Sequence, residues 1–159
     1  MEHLVIPLKQ SLSSSVGKKF VMGLTGLGLV FFMIAHLAGN LTLLDSSGYA
    51  FNLYAKKLHD LGLLALVAEV GLAVLFLIHI GYAIAVTVQN KSARKEGYTS
   101  GTPSKGGHSK SSVGSRNMII TGCVLLAFLI LHVWQFRFGP SIEQGYVTDV
   151  NGEAARDLY

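Results

Sequence analysis

Apolar and polar positions divide the chain into three long apolar runs joined by polar stretches. Residues 20–44 carry no charge, 61–89 carry one, Glu69, and 117–136 lie between Arg116 and Arg137. A hydrocarbon core of about 30 Å needs about 20 helical residues at 1.5 Å each, and all three runs reach that length. Core helices of soluble domains rarely run so far without a polar face. The pattern predicts an all-α transmembrane bundle over 20–137, with spanning helices at 20–44, 61–89 and 117–136. An amino-terminal segment (1–19), a loop (90–116) and an outer-side loop or tail (138–159) complete it. The first run is well beyond the roughly 7–15 apolar residues of a cleavable signal. Turn signals stand at Gly139-Pro140 and Asn151-Gly152.

Composition agrees with this pattern. Of 159 residues, 14% are charged and 50% apolar, and the mean hydropathy is +0.47. This balance excludes disorder, a nucleic-acid module and a charged soluble enzyme. One cysteine, Cys123, excludes an internal disulfide framework and a cysteine-cluster metal site.

The charges are unevenly placed. Lys9, Lys18 and Lys19 precede the first run, and Lys91, Arg94, Lys95, Lys105, Lys110 and Arg116 lie in the 90–116 loop. The 45–60 segment has Lys56 and Lys57, and the tail has Arg137 and Arg156. Nine basic residues against four predict a cytoplasmic amino terminus and a cytoplasmic 90–116 loop. The net charge of +4 is thus a topology signal first, and a surface for an acidic partner second. Within that loop, 99–115 is rich in Gly and Ser, a flexible composition in which His108 is solvated.

Each run contains one histidine: His36, His79 and His132. Polar side chains inside a span are costly and tend to mark function, although a neutral histidine can simply bond a neighbouring helix. Depth sharpens the choice. At 1.5 Å per residue, His36 lies about 24 Å and His132 about 22 Å from the inner ends of their helices. The middle helix runs the other way, which places His79 about 27 Å from its outer end, near the inner side. His36 and His132 are therefore at matched depth, as two axial ligands of one haem iron require. No Cys or carboxylate adjoins them in sequence to complete a zinc or copper set. The lack of a C-x-x-C-H motif excludes covalent haem, so a b-type haem is the best chemistry on offer. His79 has no partner at its own depth. It is structural, or its partner lies on another helix.

Other residues carry two readings each. Asn40, at i+4 from His36, orients the imidazole, meets a haem propionate, or is an interfacial polar residue. Gly23, Gly26 and Gly28 allow close approach of a helix or a flat macrocycle. Glu69 relays protons or fixes helix packing. Asp60, with His59 beside it, accepts protons from a bound quinol or caps the next helix.

Residues 13–41 (SSSVGKKFVMGLTGLGLVFFMIAHLAGNL), 51–62 (FNLYAKKLHDLG), the Glu69-to-His79 stretch and 115–139 (SRNMIITGCVLLAFLILHVWQFRFG) resemble the cytochrome b membrane-anchor subunit of succinate dehydrogenase and fumarate reductase, of the di-haem, single-anchor type. The tail VTDVNGEAARDLY is also similar. The resemblance covers most of residues 13–139. It implies a five-helix bundle, two b haems and a quinone site. It also implies a soluble flavoprotein with covalent FAD and an iron–sulfur subunit, which carry the succinate chemistry. His36 and His132 match the ligands of the outer haem and His79 one ligand of the inner haem. Asp60 matches the neighbourhood of a carboxylate linked to menaquinone. Arg116 leads the propionate candidates, with Lys18 and Lys19. This chain departs from the family in carrying three helices. The other two, with the second inner-haem ligand, then lie outside this sequence, are supplied by a further membrane chain, or are absent in a mono-haem anchor.

The expected function is electron transfer between the iron–sulfur partner and membrane quinone, in a bacterial or archaeal cytoplasmic membrane. Two rivals remain: a di-haem quinol-linked cytochrome unrelated to succinate, and a haem-free structural or transport subunit.

Overall fold

A computed structural model describes residues 10–93 and 112–159. Helix α1 (Ser15–Asn40) runs into a 3-10 turn (Leu41–Leu44), followed by α2 (Tyr49–Asp60) and α3 (Leu63–Ser92). After a single turn (Val113–Arg116) come α4 (Met118–Arg137), a second 3-10 turn (Ile142–Gln144), and strands β1 (Val147–Val150) and β2 (Glu153–Arg156). Helix α1 with its 3-10 extension, α3 and α4 are each long and apolar enough to cross a membrane. The architecture is the all-α bundle that the hydrophobic pattern predicts. The 1–9 part of the amino-terminal segment and the 94–111 part of the basic loop, including His108, lie outside the described residues.

Helix bounds differ from the apolar runs at positions with local causes. Helix α1 begins five residues before the expected start, because Ser14 Oγ accepts the Gly17 N–H at 3.0 Å and caps it. Lys18 and Lys19 continue the helix, as long unbranched side chains do. Helix α3 starts two residues later than expected, after Gly62 at φ +53°, and ends three residues beyond Gln89, at Ser92. Helix α4 is displaced by one residue at each end.

Helices α1 and α3 pack antiparallel. Thr25 meets His79 and Gly28 adjoins Leu75. Lys19 and Ser15 share a polar crevice with Gln89, Asn90 and Ser92 at the far end. Covered positions recur every three or four residues, at Met22, Thr25 and Leu29 on α1 and at Leu72, Phe76, His79 and Val86 on α3. Lipid tails are as apolar as leucine, so this contact depends on close packing and on polar bonds rather than on removal from water. Leu24, Phe31, Leu64 and Leu77 stay exposed, as lipid-facing side chains do. Helix α4 is exposed nearly all round, including Trp134, and its recorded interhelical contacts lie near its carboxyl end.

The 45–60 segment, expected as a loop, contains α2. Lys56, Lys57, His59 and Asp60 break the apolar run, which concealed an amphipathic helix that buries Phe51 and Asn52. Asp45 starts it. Its carboxylate accepts the Ser47 hydroxyl at 2.6 Å, the Ser47 N–H at 3.3 Å and the Ala50 N–H at 3.2 Å. These bonds, the Ser47 hydroxyl foremost, hold the Asp45 carboxyl below its ordinary value. A depressed carboxyl contributes stability above its unfolded value, lost as pH falls through the folded one. The protection factor of the Ala50 amide is therefore expected to fall below about pH 4, the ordinary aspartate range, and to lose this pH dependence in Asp45→Asn.

Residues 138–159, expected as a polar loop or tail, form a hairpin seated on α2. Asn151 and Gly152, at φ 59° and 80°, supply the left-handed pair of a tight two-residue turn. Strands β1 and β2 pair antiparallel from Val147–Arg156 to Val150–Glu153. Val150 is fully buried, and Ala155, Phe51 and Asn52 are buried as well. Asn52 Nδ2 donates to Asp157 at 2.8 Å, and its Oδ1 accepts the Leu158 N–H at 2.9 Å. Tyr49 donates to Asn151 Oδ1 at 2.7 Å. Lys56 bonds both Asp60 at 2.8 Å and Glu153 at 2.7 Å, which raises its pKa, Asp60 being the larger cause. Together α2 and the hairpin cap one end of the bundle. The cap is fastened to α1 where the Tyr54 ring lies so close over Gly39 that no Cβ fits there. It is fastened to α4 where Arg156 donates to the Phe136 carbonyl at 2.8 Å.

Candidate functional site

The cap end of the bundle brings two histidines together. His36 lies on the last turns of α1 and His132 on α4, with ring centroids 5.7 Å apart and planes nearly perpendicular at 86°. Each helix repeats about every 3.6 residues, so a side chain four positions away lies over its neighbour. Phe32 thus stacks on His36 at 5.2 Å, while Phe128 and Phe136 flank His132 at 5.4 and 4.9 Å. These phenylalanines were missed in the sequence. Their i±4 spacing from the histidines was the available signal.

Among the described residues, no three His, Cys, Asp or Glu side chains gather as a metal set. The donors that meet here are two imidazoles on separate spans. Two metal–imidazole bonds of about 2.0 Å place ring centres about 6 Å apart across one ion. The observed separation is close to this, and the aromatic surroundings suit a flat apolar macrocycle. The residues fit a bis-histidine haem.

Glu69 stands at the same level. The antiparallel register that sets Thr25 against His79 and Gly28 against Leu75 brings α3 residues near Ala68 and Glu69 opposite His36. The Glu69 carboxylate accepts from Arg137 Nε at 3.3 Å, which joins α3 to the end of α4. Both side chains are exposed in the isolated chain. Arg137 is thus a partner for Glu69 that the sequence pattern did not suggest. Asn40, half-buried, ends α1 one turn beyond His36.

His79 occupies a second level. Thr25 and His36 are eleven residues apart, so the two levels are separated by about 16 Å along α1. Thr25 Oγ1 and His79 Nδ1 are 3.1 Å apart, and the ring edge lies against Gly26. Gly28 takes Leu75, and nothing lies within 4 Å of a Cβ built on Gly23. At Gly26 and Gly28 the close neighbour is therefore α3 itself. Thr25 was absent from the candidates; a threonine among glycines in a span reads as packing until its partner is known.

The remaining candidates separate. Asp60 is the last residue of α2, half exposed and paired with Lys56, and His59 beside it is exposed. Lys18 is half-buried and Lys19 exposed near the opposite end, the latter on the crevice with Gln89 and Asn90. Arg116 is exposed on the turn preceding α4. Asp60 and the three basic residues thus lie at opposite ends of the bundle.

Comparison with protein-family models, curated proteins and solved structures found no match to this chain.

Proposed function

We propose that this chain is a haem-binding membrane anchor of a succinate:quinone oxidoreductase. Its role is to pass electrons between an iron–sulfur partner subunit and membrane quinone, menaquinone being favoured by the carboxylate of Asp60. The observation that carries the proposal is the convergence of His36 and His132 from two spans at 5.7 Å. A bound b haem supplies one-electron redox chemistry. His36 and His132 would hold it, and Phe32, Phe128 and Phe136 would line the site around them. His79 would offer one imidazole to a second haem, whose other ligand is not among the described residues of this chain. Asp60 and His59 sit at the cap end, where a quinol proton can leave towards water. Lys18, Lys19 and Arg116 stand at the opposite end, which the positive-inside rule assigns to the cytoplasm. There they would pair with the propionates of an inner haem or with the flavoprotein and iron–sulfur partners. Succinate oxidation and covalent FAD belong to those partners. The sequence resemblance supports the same reading, in a bacterial or archaeal cytoplasmic membrane.

The hydrogen bond between His79 and Thr25 favours a second reading, in which the histidines lock helices in a haem-free subunit. A reduced-minus-oxidised spectrum of the natively purified complex, with haem counted per chain, separates the two. The proposal expects b-type bands, two haems and co-purified flavoprotein and iron–sulfur subunits. A colourless preparation overturns it. Two haems without those partners give a quinol-linked cytochrome unrelated to succinate.

A further inference from the structure

Thr25 is buried at the contact of α1 and α3, 5% exposed, and its hydroxyl has one proton to give. Val21 O, four residues back on the same helix, lies 2.8 Å from Oγ1, and Met22 O lies 3.1 Å away. Helical threonines regularly donate to such carbonyls. Inside a span no water competes for the bond. Once that proton is committed, Oγ1 has only lone pairs left for His79 Nδ1 at 3.1 Å. The proton of the interhelical bond must then come from the imidazole.

We propose that Thr25 is a positioning residue that holds His79 as the Nδ1–H tautomer and leaves the Nε2 lone pair free for a metal ion. A metal-bound histidine needs one unprotonated nitrogen, and its other N–H is ordinarily held by a second partner that fixes ring orientation and raises ligand strength. Thr25 is that partner in this structure. Gly26 leaves room for the ring, since a Cβ there would lie 3.2 Å from His79 Cε1, a tight contact from which the ring would have to give by a few tenths of an ångström. The tautomer stands on the geometry of Thr25 alone. Its use by haem iron rests on the function proposed above.

The test has two arms. In the first, the full chain with ring-15N histidine is placed in lipid nanodiscs at pH 8, where an ordinary histidine is neutral. His79→Gln identifies the His79 resonances by their loss. The wild type is expected to have a one-bond proton coupling on Nδ1 and none on Nε2. Thr25→Ser keeps this pattern, whereas Thr25→Val loses it. A proton on Nε2 in the wild type, or the same spectrum in Thr25→Val, overturns the proposal. In the second arm, the native complex is purified. Thr25→Val is expected to shift to more positive values the midpoint potential of the haem that depends on His79, while the haem held by His36 stays put and Thr25→Ser restores the shifted value. An unshifted potential overturns the ligand-tuning role. A wild-type complex without haem, with the Nδ1–H pattern intact, overturns the proposed function and leaves the tautomer assignment standing.

Discussion

Replacing His36 or His132 with alanine is expected to remove one b haem of two, so the reduced α-band of the purified complex falls to about half. The two single variants and the double variant should give the same spectrum, because an iron that loses either axial imidazole loses its bis-histidine character. The residual haem is the one held by His79, about 16 Å away along α1. Folding should survive the change. His36 and His132 are half-buried, and their flanking phenylalanines can close over an alanine. Full haem content in both variants would falsify the ligand assignment. Loss of both haems together would mean that the levels are one cooperative unit.

The second large effect is expected at the cap. Val150→Asp puts a carboxylate at a fully buried position, against Ala155 and the Phe51 face of α2. Burying an unpartnered charge costs several kcal/mol, more than a hairpin of two four-residue strands can sustain. The hairpin should detach while α1, α3 and α4 remain helical in the membrane. Limited trypsin digestion then cuts after Arg156, which in the wild type is held against the Phe136 carbonyl. Lys56 loses Glu153 but keeps Asp60. Resistance of Arg156 to trypsin in Val150→Asp would mean that the hairpin is held chiefly by polar bonds, those of Asn52 first among them.

The same contrast explains what could be read in advance. Three apolar runs of spanning length are a one-dimensional signal, so α1, α3 and α4 were legible to within a few residues. The depth of His36 and His132 followed from counting at 1.5 Å per residue, and their rings do meet. The turn at Asn151-Gly152 was legible because both positions favour positive φ. Seating the hairpin on α2 was not, since it depends on Asn52 meeting Asp157 and Leu158 across more than a hundred residues. Helix α2 was hidden because its polar residues resemble those of a loop, although the spacing of Phe51, Tyr54 and Leu58 is helical. Arg137 seemed only to end an apolar run, and nothing local pairs it with Glu69. Thr25 became meaningful only once α3 had been set against α1.

The spacing of Thr25 and His36 has a further consequence. Eleven residues make about 3.06 turns, so the two side chains leave α1 within roughly 20° of one direction. Helix α1 behaves as a rigid ruler with two marks on one edge. Lengthening that interval by a single residue would swing one mark about 100° around the cylinder and turn it towards lipid. Lengthening it by four would leave the marks about 60° apart, whereas lengthening it by seven, two turns, would slide them apart by about 10 Å and keep them aligned. The distance between the two histidine levels is thus written in whole helical turns, and evolution can change it only in steps of that size.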